Sequence, residues 1–89
     1  MTPEEETPWL RPEPPGCKLT VWTIYDHPAD YREGFVLRAH FVMDDGAVQA
    51  DTAAWYADQV DKLRIMVPPD RVRMTRHPDD DPAILETWI

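Results

Sequence analysis

A chain of 89 residues supplies one small domain with a thin core, because at this size folding buries only about 60% of the chain's surface. Its 17 acidic residues against 9 basic ones give a net charge of −8, which argues against direct grip on a phosphate backbone or an anionic membrane and admits a basic partner, including one that itself holds nucleic acid. The single cysteine excludes an internal disulfide framework and a Cys-based zinc site, and a chain without serine has no serine nucleophile.

Residues 1–16, MTPEEETPWLRPEPPG, hold five of the ten prolines and four glutamates, and read as an extended, solvated arm with Trp9 and Leu10 as its only sizeable apolar pair. The acidic start lacks the basic and apolar regions of a secretory signal, and no apolar run approaches the roughly 18 residues of a membrane span. The expected location is the cytoplasm, that of the host cell if the chain is phage-encoded.

Residues 17–89 form the expected domain. Lys18–Tyr25 (KLTVWTIY) is dense in β-branched and aromatic residues and bounded by Gly16 and Asp26-His27-Pro28, which predicts a strand. In Gly34–Met43 (GFVLRAHFVM) strict alternation puts Phe35, Leu37, Ala39, Phe41 and Met43 on one face and Arg38 and His40 on the other, a second strand. The connection between them suits an antiparallel pair, and Asp44-Asp45-Gly46 ends the second strand with turn chemistry.

A helix is expected next, capped by Asp51 or Thr52 and stopped by Pro68–Pro69. At 100° per residue Ala53, Tyr56, Val60, Leu63 and Val67 fall within an arc of roughly 80°, with Asp58 and Asp61 pointing away. Trp55 and Met66 fall together beside that stripe, either as a broad edge of the core or as a partner-facing patch. Arg71–Arg76 is a candidate short strand and Ala83–Ile89 a firmer one, with HPDDDP as a polar turn between them. The expected class is α+β: a small antiparallel sheet of three or four strands with one helix packed on one face.

The chemistry-bearing residues do not assemble into a catalytic pattern. The three glycines are too scattered for a phosphate-cradling loop, and Cys17 sits at the seam of the arm, without the fixed electropositive setting a catalytic thiol needs. Two His-Pro-X-Asp stretches, at His27 and His77, together with His40, bring in Asp26, Asp30 and Asp79–Asp81 as metal-ligand candidates. No histidine pair shares a helix face, however, and successive aspartates in extended backbone point in opposite directions. Both stretches therefore read as turns. The expectation is no catalytic residue, no metal and no cofactor, with a metal-binding enzyme or regulator on these two turns as the alternative.

The set WTIYDHPADY, GFVLRAH and HPDDDPAILETWI resembles a group of short hypothetical proteins of bacteria and their phages. They share Y-D-H-P-x-D-[FY], then F-V-x-R, then D-D-D-P-x-[IL]-x-E-x-W, here Tyr25–Tyr31, Phe35–Arg38 and Asp79–Trp88. In its small size, acidity and preference for arginine over lysine the chain is also similar to phage anti-CRISPR proteins, above all inhibitors of type I effector complexes. That resemblance implies a non-enzymatic binder that blocks the complex's DNA channel or its recruitment of a nuclease. Trp55, Asp58, Asp61, Met66, Asp79, Asp80 and Asp81 are the candidate contact residues, with a phage structural or accessory module as a further alternative. Cys17, beside Pro14-Pro15-Gly16, is expected to be accessible and is the candidate for an intermolecular disulfide between two copies.

Overall fold

The computed structural model describes residues 13–29, 31–75 and 82–89. Asp79, Asp80 and Asp81, with Asp30, Arg76, His77 and the first twelve residues of the arm, lie outside the described residues.

The two predicted long strands are present as β1 (Cys17–Asp26) and β2 (Phe35–Met43), paired antiparallel from Cys17 opposite Met43 to Asp26 opposite Phe35. The chain continues through β3 (Val48–Ala50), β4 (Trp55–Ala57), a helix α1 (Val60–Arg64), β5 (Arg73–Thr75) and β6 (Ile84–Trp88). The described strands make one antiparallel sheet in the order β3-β2-β1-β6-β5, with β4 also pairing on β2. Strand formation follows the sequence in β1, β2 and β6, where β-branched and aromatic residues alternate between faces.

Two expectations are corrected here. The sheet has six strands among the described residues rather than three or four, and the helix has five residues rather than the stretch from Ala53 to Val67. The reason lies in the free edge of β2. One edge of that strand bonds β1, and a long helix after Asp51 would leave the opposite edge with unpaired backbone donors and acceptors beside the core. Instead β3 pairs with His40–Val42 and β4 with Phe35–Leu37. Trp55 and Tyr56 suit a strand better than a helix. Asp51 does accept a backbone N–H, from Ala53 at 3.2 Å, but this bond shapes the turn into β4 and not a helix start. The helix itself begins after Gln59, which makes no side-chain cap.

The core lies on one face of the sheet: Trp22 and Ile24 of β1, Leu37, Ala39 and Phe41 of β2, Trp55 of β4, Leu63 of α1 and Val67 beyond it. Ile24, Leu37 and Leu63 are completely enclosed. The helix is therefore packed on one face, as expected, although Tyr56 leaves the predicted apolar stripe and is 53% exposed. The Arg64 guanidinium spans from the helix to the sheet and bonds the buried Glu86 of β6 through two nitrogens, at 2.7 and 3.1 Å.

The arm is fastened where it meets the domain. The Glu13 carboxylate accepts hydrogen bonds from the Thr20 hydroxyl and the Cys17 thiol, and these hold its pKa below the ordinary carboxylate value. The backbone N–H of Asp44 donates to the Gly16 carbonyl at 2.7 Å, tying the same stretch to the end of β2.

Gly34 lets β4 close against β2. A methyl group at that position would lie 2.4 Å from the Ala57 carbonyl oxygen, far inside van der Waals contact with backbone that cannot swing away. Gly34→Ala is expected to destabilise the protein by about 1–3 kcal/mol, the usual cost of overpacking. In urea titration it appears as a lower midpoint with little change in slope. An unchanged midpoint would mean that β4 does not pack on β2 in solution.

Candidate sheet-face site

Alternation along β1 and β2 gives the sheet a second face. While Trp22, Ile24, Leu37 and Ala39 turn toward the core, Val21, Thr23, Tyr25, Val36, Arg38 and His40 turn the other way, side by side in register. Pairing extends this face to Val48, Tyr56, Thr87 and Met74. Of the seven large apolar residues exposed among the described ones, Leu19, Val48, Tyr56 and Met74 share this face, and the mutual backbone bonds of Val72 and Ile89 continue the β5–β6 register so that alternation puts these two on it as well; Ile65 lies elsewhere. Tyr56 packs against Tyr31 with the rings tilted and their centroids 4.8 Å apart.

At one end of the face the β1–β2 connection and the start of β6 rise around a cleft of about 610 Å³. Its polar lining is Tyr25, His27, Arg38 and His40, and its walls include Pro28, Val36, Ala50 and Pro82. Tyr25 leans along the sheet so that its hydroxyl hydrogen-bonds His40 Nε2 at 2.8 Å. The Arg38 guanidinium donates to the Asp51 carbonyl at 3.5 Å. Burial, and then the charge of Arg38, depress the His40 pKa, so this imidazole is neutral near pH 7. His27 adopts a left-handed backbone conformation at φ 48°, bonds Asp26 through Nδ1 and sets its ring edge-on to Phe35.

The residues singled out in the sequence do not converge on one place. Trp55 is buried in β4 and packs against Trp22 with centroids 6.5 Å apart, so of its two readings the core position is the one occupied. Met66 is half-buried against the core, and the helical juxtaposition of Trp55 with Met66 is not formed because Trp55 is on a strand. Asp58 and Asp61 are exposed, but Lys62 bonds Asp58 at 2.7 Å and Arg64 bonds Asp61 at 3.1 Å. The outer side of the helix is thus a set of ion pairs and not an acidic ridge, with Arg64 shared between Asp61 and Glu86. Cys17 is half-buried at the edge of the core, with its thiol 3.3 Å from the Leu19 carbonyl oxygen and 3.4 Å from the Glu13 carboxylate.

Among the described residues no three His, Cys, Asp or Glu side chains form a group able to hold a metal, and no helix is long and apolar enough to cross a membrane. The cleft escaped the sequence reading. Its signal was Arg38 and His40 two residues apart on the outward face of a strand, but only the fold supplies the walls. No protein-family model, no curated protein and no solved structure matches the chain.

Glu86, a buried carboxylate, is a structural group. Burial opposes its ionisation, but hydrogen bonds from Arg64 and from Trp88 Nε1, with the charges of Arg64 and Arg73, outweigh that and hold its pKa below 4.5. A depressed carboxylate pKa contributes stability that is complete above 4.5 and is lost as pH falls through the folded-state value. Glu86→Gln is expected to cost about 2–3 kcal/mol at neutral pH, less than a fully enclosed pair because Arg64 keeps partial solvent contact. Urea titrations at successively lower pH should show the gap between variant and wild type narrowing below 4.5. A gap that stays constant into acid would refute this role.

Proposed function

We propose that the chain is a non-enzymatic, anti-CRISPR-like binding inhibitor. It docks on a nucleic-acid-handling type I effector complex and blocks target DNA binding or nuclease recruitment. The observation that carries this reading is the second sheet face, whose margins expose apolar surface at Leu19, Val48, Tyr56 and Met74 around a buried Thr23 and Val36, on a domain of net charge −8. Grouped exposed apolar side chains on a small domain mark an interaction surface, and a surrounding negative field steers that surface toward a lysine- and arginine-lined groove. The exposed carboxylates of the β2–β3 turn, Asp44 and Asp45, supply the charge, since Asp58, Asp61 and Asp70 are already ion-paired. Capture of a purified type I complex by the immobilised protein tests the reading. Binding is expected to weaken as salt rises and to be lost in the Val48→Glu/Met74→Glu double variant with its fold retained. Failure to capture any such complex at low salt, or undiminished capture by the double variant, would overturn it.

A homodimer through Cys17 is a second, separable part of the proposal. A bridge between two copies requires the thiol to leave Leu19 and Glu13, so it forms slowly and only under oxidising conditions. On a non-reducing gel of aerated protein a band at twice the monomer mass is expected to build up, and to be absent with reductant and in Cys17→Ser. Monomer alone after prolonged aeration would rule the dimer out.

A further inference from the structure

We propose that the cleft beside Arg38 is a binding site for a small organic oxyanion, a phosphate or carboxylate group carried on a compact ring or apolar body. This does not rest on the docking reading. The cleft's 610 Å³ lies within the roughly 300–1,000 Å³ of small-molecule sites. Its electrostatics run against those of the whole protein. In a chain with 17 acidic and 9 basic residues, the described lining carries the Arg38 guanidinium and two imidazoles, that of His27 bonded to the neighbouring Asp26, and no carboxylate of its own. A cation entering it meets Arg38, whereas an anion meets its natural partner.

Arg38 is suited to that role by position. It projects from the middle of β2, a strand flanked by β1 on one side and by β3 and β4 on the other. One guanidinium nitrogen is directed at the Asp51 carbonyl, which orients the group. A guanidinium has five N–H donors in a planar fork, so further donors serve an oxyanion in the bidentate geometry that lysine cannot reproduce. His40 lies two residues along the same face and is anchored by Tyr25, so the cleft's polar floor is held before any ligand arrives. Val36, Ala50, Ala83 and the prolines 28 and 82 supply the apolar walls for the ligand's body.

The test is a two-dimensional amide NMR titration of the full chain with phenyl phosphate and with benzoate, which separates the two oxyanion sources, and with benzyl alcohol as the uncharged control. Saturable shifts are expected at Val36, Arg38, His40, Ala50 and Ala83 for at least one anion and for neither site nor residue with the alcohol. Arg38→Gln should weaken binding at least tenfold, and Arg38→Lys should also weaken it although the charge is kept. Because Arg38 also bonds Asp51, a second variant, Ala50→Glu, brings a carboxylate to the cleft wall from an exposed position and should abolish binding. The proposal is overturned by the absence of saturable shifts with both anions. It is equally overturned by the same shifts with benzyl alcohol, by shifts centred on Lys18, Arg32 or Arg71, or by undiminished binding in Ala50→Glu.

Discussion

Strand β2 is the constraint on which the rest of the structure depends. Nine residues of backbone meet β1 along one edge and two short strands along the other. The period-two alternation of the same residues makes both functional layers at once: Leu37, Ala39 and Phe41 are the centre of the core, while Val36, Arg38 and His40 are the centre of the opposite face. A shift of one residue in its register would carry Arg38 into the core and Leu37 into water. The pairing with β1, nearly continuous over its whole length, resists that shift, with only one irregularity near Cys17.

The small domain compensates for its thin core by fastening its edges. Arg64 ties the short helix to β6 through Glu86, and Glu13 ties the incoming chain to β1 through Thr20. A five-residue helix has little stability of its own, so its place depends on Leu63 and on that ion pair. Trp88 completes the arrangement by donating to the same carboxylate, which leaves a buried charge with donors on two sides.

One sheet face is only partly covered: Thr23 and Val36 at its centre are buried, while its margins are exposed. With the helix and Val67 all on the core side, nothing among the described elements covers Leu19, Val48 and Met74, and the half-buried polar group of Tyr25, Arg38 and His40 sits among them. A surface with apolar ground and a few oriented polar groups is suited to binding. The acidic β2–β3 turn sets the long-range field, whereas the carboxylates of the helix, paired with their own neighbours, contribute little to it.

The sequence by itself determined β1, β2 and β6, the antiparallel hairpin and its turns, and the sorting of Leu37 from Arg38, because each of these follows from local alternation and turn chemistry. It also identified Leu63 and Val67 as buried. What it left to the tertiary structure was the stretch from Ala53 to Val67, whose apolar spacing satisfies a helix over its length and a strand at Trp55–Ala57 equally well. The choice was made by the open edge of β2, a demand that no local pattern contains, and by the absent side chain of Gly34, which admits β4. The cleft was decided the same way: Arg38 and His40 are two residues apart on one strand, but Pro28, Ala50 and Pro82 come to surround them only when three separate parts of the chain meet on one sheet.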